Sequence, residues 1–223
     1  MRDLARQMLL TAQKYVNVGK KPPGFHSFTN KYLEEYEKIF RNWRERTFFP
    51  MTLEDVQADL LASYARDFFV YSFSWAIPSD EAIDLIASYD NIIDAGAGTG
   101  YWAGLLRQQG CKVEAWDKQP YFNGYCNTSW SYVERVAPAE VLYRLSSRCN
   151  HTLLLVWPPV NSFAYKAVKA FSGNRVIYVG EWYGCTGDAD FHNYLEDYFE
   201  VVNVLEIPRW PCILDRLYVL ERK

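Results

Sequence analysis

The chain has 223 residues, 49% of them hydrophobic and 23% charged, which fits one domain of ordinary size with a substantial core. Aromatic residues make up 17%, too many for a disordered polar chain, and the net charge of −3 excludes the strong overall basic field of a typical nucleic-acid binder. The charge is uneven: residues 1–50 hold 10 Lys/Arg against 5 Asp/Glu, and the remainder holds 14 against 22. That basic start could meet phosphates, or it could be a solvated helical face. The five cysteines (Cys111, Cys126, Cys149, Cys185 and Cys212) are irregularly spaced with no Cys-x-x-Cys, so neither a metal site nor a disulfide framework is predicted. The longest apolar run, Leu153 to Val160, contains two prolines and is far too short to span a bilayer. No membrane partner is expected, and a reducing cytoplasm is the expected location.

In chain order, residues 1–18 read as a short helix, followed by the breaker cluster Gly19-Lys20-Lys21-Pro22-Pro23-Gly24. A second helix is predicted over Lys31–Arg46. A third starts at the N-cap Thr52 and runs through Phe68. Residues 1–50 are therefore taken as a helical N-terminal extension and 51–223 as the main domain. Ser79 should cap a helix to about Tyr89. From there strands and helices alternate. Strands are predicted at Asn91–Ala95, Lys112–Trp116, Tyr132–Val136, Thr152–Trp157 and Arg175–Gly180. Helices are predicted at Tyr101–Gln109, Pro138–Ser147, Phe163–Phe171 and Asp188–Tyr198. Lys118 to Trp130 is too short and too rich in turn formers for a crossover helix. The final strands, Val201–Ile207 and Ile213–Leu220, are joined by a link too short for a helix and should pair antiparallel. The rest alternates as a parallel α/β sheet requires.

The central motif is Asp94-Ala95-Gly96-Ala97-Gly98-Thr99-Gly100, placed between a strand and a helix. Glycine permits positive φ and close approach to the backbone, and the following helix presents free N–H groups. A dinucleotide fingerprint has its third glycine one residue later, where this chain has Tyr101. That spacing argues against a nicotinamide-dependent oxidoreductase. Asp117 ends the next strand, where a carboxylate can accept hydrogen bonds from ribose hydroxyls. It is expected to be solvated when the site is empty.

The early glycine, the preceding Asp94 and the strand-end Asp117 resemble motif I and its partner acid in class I S-adenosylmethionine-dependent methyltransferases. The resemblance covers residues 71–223. The segments Ser74–Pro78, Trp157–Pro159 and Gly184–Asp188 look like a little-characterised branch of that superfamily. It implies a Rossmann-like α/β fold: a mostly parallel seven-stranded sheet with an antiparallel C-terminal hairpin, preceded by the N-terminal helices. It implies S-adenosylmethionine as cofactor, with Asp94, Gly96, Ala97, Gly98 and Gly100 at the methionine portion and Asp117 on the ribose. Lys118 would flank the adenine, and Trp102 and the segment from Tyr71 to Pro78 would complete the cofactor site. The acid that many members carry after the third strand is matched only by Glu134, which stands too early.

A methyl acceptor should sit at the carboxyl ends of the strands. Trp157-Pro158-Pro159-Val160 stands where amino-methyltransferases carry Asp, Asn or Ser, then Pro-Pro, then an aromatic residue. Trp157 cannot accept the amine's hydrogen bond and Val160 gives no stacking face. Glu181, directly after the fifth strand, could act as a base, recognise a cation or order its loop. The candidate acceptor-side residues are thus Glu181, Trp157 and Pro158. Asp188 reads as a helix cap and His192 as a partly exposed side chain. The acceptor itself is unidentified. The acidic main domain and aromatic loops favour a small molecule or protein, and the basic first 50 residues favour nucleic acid. A cofactor-binding pseudoenzyme acting through partner contacts is the alternative of a different class.

Overall fold

A computed structural model describes residues 29–40 and 66–223. The predicted helix over 1–18, most of the one beginning at Thr52, and the boundary at residue 50 lie outside the described residues. The elements are α1 (Lys31–Phe40), α2 (Asp80–Ala87), β1 (Ile92–Ala95), α3 (Tyr101–Gln108), β2 (Val113–Asp117), β3 (Glu134–Arg135), α4 (Pro138–Leu145), β4 (Thr152–Val156), α5 (Phe163–Ala170), β5 (Arg175–Gly180), α6 (Ala189–Tyr198), β6 (Phe199–Glu206) and β7 (Arg216–Arg222). Residues 66–72 are also helical.

Seven strands form one sheet in the order β3-β2-β1-β4-β5-β7-β6. Strands β1 to β5 pair in parallel, while β7 runs antiparallel to both β5 and β6. In β1, β4, β5 and β7 side chains alternate between two buried faces, as strands covered on both sides require, while the edge strand β6 is mostly exposed. Ile92, Leu154, Ile177 and Val219 face the core shared with α1, α2 and α3. Ile93, Leu153, Leu155, Val176 and Leu220 face the core shared with α4, α5 and α6.

Local chemistry explains the helix starts. Ser79 accepts the Ala82 N–H at 3.1 Å, with Asp80 and Glu81 in the first turn of α2. Asp188 accepts the Phe191 N–H at 2.9 Å and caps α6. The part of the N-terminal extension that is described packs into the main core. Tyr32 of α1 is fully buried and stacks on Phe73 at 5.0 Å, and its hydroxyl accepts the Trp210 indole N–H at 2.8 Å. Tyr36 donates to the Arg209 carbonyl at 2.6 Å. Aromatic pairs of this kind contribute about 0.5–1.5 kcal/mol each beyond the area they bury.

Residues 118–133 form no helix, as their composition predicts. They fold back over the glycine turn instead: Tyr121 N donates to the Gly98 carbonyl at 3.1 Å and Trp130 N to that of Thr99 at 2.9 Å. The third strand is shorter than predicted, two residues only. Side chains claim the backbone groups that would extend it. Arg107 takes the Tyr132 carbonyl, and the Tyr121 hydroxyl bonds both the N–H and the carbonyl of Val133. The last strand begins three residues later than predicted because the Leu214 N–H turns aside to Glu181.

Gly100 has φ +74, and a Cβ there would stand 2.8 Å from both the Ser131 carbonyl and Val133 Cγ2. Gly98, at φ +53, has nothing within 4 Å of its Cβ position. Urea denaturation should therefore rank two variants. Gly100→Ala should cost about 2–4 kcal/mol from left-handed strain plus overpacking. Gly98→Ala should cost about 1–2 kcal/mol from strain alone. Equal losses would show that residues 131–133 yield to the added methyl.

Candidate functional site

The glycine turn spends most of its amides on the fold. Gly96 N and Ala97 N both donate to the Trp116 carbonyl, at 2.8 and 3.0 Å, and Gly100 N donates to that of Ala97 at 2.8 Å. Gly98 N donates to Asp117 Oδ2 at 3.0 Å. What the turn offers a ligand is chiefly room over Gly98 and the carboxylates beside it.

Asp117 is braced rather than simply solvated. Its Oδ1 accepts the Gln119 N–H at 2.8 Å while Oδ2 holds Gly98, so each oxygen keeps further lone-pair capacity. Asp94 is 2% exposed at the end of β1 and has no hydrogen-bond partner among the described residues. Burial pushes its carboxyl up to about 7, against the pull of the Arg107 guanidinium and with a push from Asp117. Arg107 is itself fixed to Ser131 Oγ and to the Tyr132 and Val113 carbonyls at 2.7–3.0 Å.

The remaining residues predicted for the cofactor site lie around this turn in different states. Tyr71 is half-buried and its carbonyl accepts the Asn127 N–H at 3.0 Å. Trp102 is a core residue whose indole donates to Ser74 Oγ at 3.1 Å. Pro78 is buried and its carbonyl accepts from Asn30 at 2.8 Å. Lys118 is exposed. Glu134 is bound by both terminal nitrogens of Arg144 at 2.8 Å.

A second group gathers farther along the same sheet edge. Trp157 follows β4 with φ +50, a strained value for a bulky residue, and stacks on Trp75 at 4.7 Å. Pro158 is buried, and its carbonyl accepts the Gly187 N–H at 2.9 Å. Glu181 uses both oxygens on backbone amides, Cys185 N at 2.9 Å and Leu214 N at 2.7 Å, so it ties two loops together. His192 differs from its predicted exposure. It is 1% exposed, with Nε2 bonded to the Thr186 carbonyl at 2.8 Å, because the loop after β5 folds down over the first turn of α6.

Sequence reasoning missed two members of this group. Asp215, 1% exposed, accepts the Trp157 indole N–H at 2.7 Å, and its other oxygen has no hydrogen-bond partner among the described residues. Burial raises its carboxyl to about 7, partly opposed by that hydrogen bond. The guanidinium of Arg66 lies over the indoles of Trp75 and Trp157, 5.3 and 5.1 Å from the ring centroids. No motif marks either residue. Asp215 falls within the predicted last strand, Ile213–Leu220, and Arg66 within a predicted helix, so the only available signal was a lone acid near the start of that strand. Among the described residues, no group of three or more His, Cys, Asp or Glu side chains is placed to hold a metal ion, and no helix is long and apolar enough to cross a membrane.

No family model matches the chain, and no curated protein matches it. Several solved structures are similar. One is an O-methyltransferase family protein from Burkholderia thailandensis, at 10% identity over 86% of this chain and 70% of that one, TM-score 0.44. Another is the 1,6-didemethyltoxoflavin-N1-methyltransferase from Burkholderia thailandensis, at 13% identity over 92% and 93%, TM-score 0.39. A third is an rRNA methylase from Streptococcus thermophilus, at 15% identity over 64% and 94%, TM-score 0.40. The strand order and the antiparallel final pair carry the assignment of fold: this is the Rossmann-like class I methyltransferase fold.

The two buried acids set a pH dependence. A carboxyl raised from 3.8 to about 7 in the folded state favours the protonated form there. Its contribution to stability is full below the unfolded value and is lost as pH rises through the folded one. Thermal unfolding of the ligand-free protein should therefore show stability falling from about pH 4, the unfolded value, to about pH 7, the folded one. Asp94→Asn, which has no charge to bury, should gain about 1–4 kcal/mol over the parent near the upper end and little at the lower end. A constant difference across the range would mean that Asp94 is ionised throughout.

Proposed function

We propose that this protein is a methyltransferase that uses S-adenosylmethionine as methyl donor, with the acceptor held at the carboxyl edge of the sheet beside Trp157 and Pro158. The observation that carries this reading is the open space over Gly98, flanked by two carboxylates at the ends of β1 and β2. The residues present fit that cofactor. Asp94 is a buried acid with no hydrogen-bond partner among the described residues, suited to an ammonium group. Asp117 keeps acceptor capacity for two ribose hydroxyls while the glycine turn holds it in place.

When bound, the cofactor supplies a methyl group on a sulfonium, which carries its own leaving group. The protein's part is then mainly placement and exclusion of water. The segment 71–75 is clamped for that purpose. The Trp130 indole donates to the Ser72 carbonyl at 2.6 Å, and the Thr99 hydroxyl donates to the Phe73 carbonyl. The Trp157–Pro158 turn faces the same edge, which supports its reading as part of the acceptor site. Glu181, committed to two amides, fits a role in shaping that site better than a role as a base.

Calorimetric titration tests the reading. S-adenosylhomocysteine should bind and NAD should not. Asp117→Ala should weaken binding about 10- to 1000-fold, since hydrogen bonds to a charged group contribute about 1.5–3 kcal/mol each and two on one carboxylate do not add fully. Asp117→Asn should be milder because one acceptor oxygen remains. NAD binding without S-adenosylhomocysteine binding would overturn the assignment of the cleft.

A further inference from the structure

We propose that Asp215 is the proton-accepting residue of the acceptor site and that the acceptor presents a hydroxyl, a phenol-like O–H, to its Oδ2. The inference rests on reading the cleft as a methyl-transfer site. It begins with one indole. Trp157 donates from its edge to Asp215 Oδ1 at 2.7 Å and carries the Arg66 guanidinium 5.1 Å from its ring centroid. A carboxylate and a cation are thereby held against the same ring, with no ion pair between them.

Position on the sheet supports the assignment. The antiparallel register sets Arg216 opposite Gly180, so Asp215 stands at the edge where β4 and β5 end. Asp215 comes 58 residues after Trp157 and supplies, from the last strand, an acidic acceptor beside the Pro-Pro turn that the turn's own residues lack. The two acids at this edge are not equivalent. Glu181 has both oxygens on backbone amides, whereas Asp215 has one oxygen bonded only to an indole N–H and the other without a hydrogen-bond partner among the described residues.

The hydroxyl class follows from charge. An ammonium acceptor would stand near the Arg66 guanidinium and be repelled by it. A neutral O–H is not repelled, and as it loses its proton the growing oxyanion is stabilised by that same charge. The step balances. The acceptor's O–H bond breaks and its proton goes to Oδ2. The oxygen's electron pair forms the new bond to the methyl carbon, and the pair of the broken carbon–sulfur bond stays on sulfur. A carboxyl raised to about 7 is protonated or not according to ordinary changes of pH, which suits a base. The charged and titratable groups facing Asp215 are Glu181 and Cys185 from the loop after β5, Arg66 from the helical residues 66–72 and Arg209 from the connector before β7. Tyr178, Tyr218 and Tyr32 are the others among the described residues.

The test uses the whole chain, Asp215→Asn and Trp157→Phe, with S-adenosylmethionine and a panel of phenols, alcohols and amines followed by S-adenosylhomocysteine release. Asp215→Asn should keep the parent's affinity for S-adenosylhomocysteine while turnover on hydroxyl acceptors falls about 10²- to 10⁴-fold and the rise in rate through neutral pH disappears. Independently of activity, the Trp157 indole N–H resonance should titrate near neutral pH in the parent and not in Asp215→Asn. Trp157→Phe, which removes the hydrogen bond that favours the ionised carboxylate, should move the midpoint of the rate profile upward. If the parent fails to bind S-adenosylhomocysteine, the methyl-transfer reading falls and this inference with it. If the parent binds it, three results overturn the inference alone: unchanged turnover and pH profile in Asp215→Asn, methylation of amines only, or no hydroxyl acceptor used from the panel.

Discussion

The site depends on how the glycine turn is closed onto β2. Two consecutive amides, from Gly96 and Ala97, converge on one carbonyl, that of Trp116, and the next glycine amide holds the Asp117 carboxylate. This fixes the ends of two adjacent parallel strands relative to each other. Gly100 then passes so near residues 131–133 that no side chain fits, and this brings the crossover segment down over the turn. The hydrogen bonds from Tyr121 and Trp130 to the turn's carbonyls exist because of that approach. A crossover helix is unnecessary here, since the turn itself supplies the partners that a helix would have supplied internally.

Burial of acids without full compensation recurs along the edge. Asp94 and Asp215 sit at opposite parts of it, both nearly inaccessible and both with carboxyls raised by desolvation. Among the described residues neither has a direct ion pair, although a guanidinium stands near each: Arg107 for Asp94 and Arg66 for Asp215. An unpaired buried acid costs stability in the empty protein. A ligand group that supplies the missing donor recovers that cost on binding, which gives these two positions a reason to be functional. Glu181 shows the contrasting case, an acid fully engaged by backbone amides.

Aromatic residues hold the layers together on the face that carries α1. Tyr32, Phe69, Phe73, Tyr101, Trp130 and Trp210 come from five separate stretches of chain and contact one another through stacked, tilted and edge-on pairs. Tyr101 takes the place where a dinucleotide fold would have a third glycine. Its hydroxyl reaches α1, accepting the Tyr32 N–H at 2.9 Å. The residue that argues against one cofactor is thus also the residue that docks the N-terminal segment.

Local sequence determined the alternation of strands and helices, the glycine turn, the two helix caps and the strand-end acid, because each depends on residues a few positions apart. The apolar run of β4, the Ser79 and Asp188 caps and the Gly96–Gly100 spacing all belong to that kind. Tertiary structure alone decided which side chains meet at the carboxyl edge of the sheet. The Trp157–Asp215 hydrogen bond joins residues 58 apart and follows from the antiparallel register of β7 against β5, which no local periodicity encodes. For the same reason Glu181 proved to be bound to Leu214, 33 residues away, and His192 proved to be buried. A side chain's chemistry can be read from its type, but its partners depend on how strands far apart in the chain are aligned.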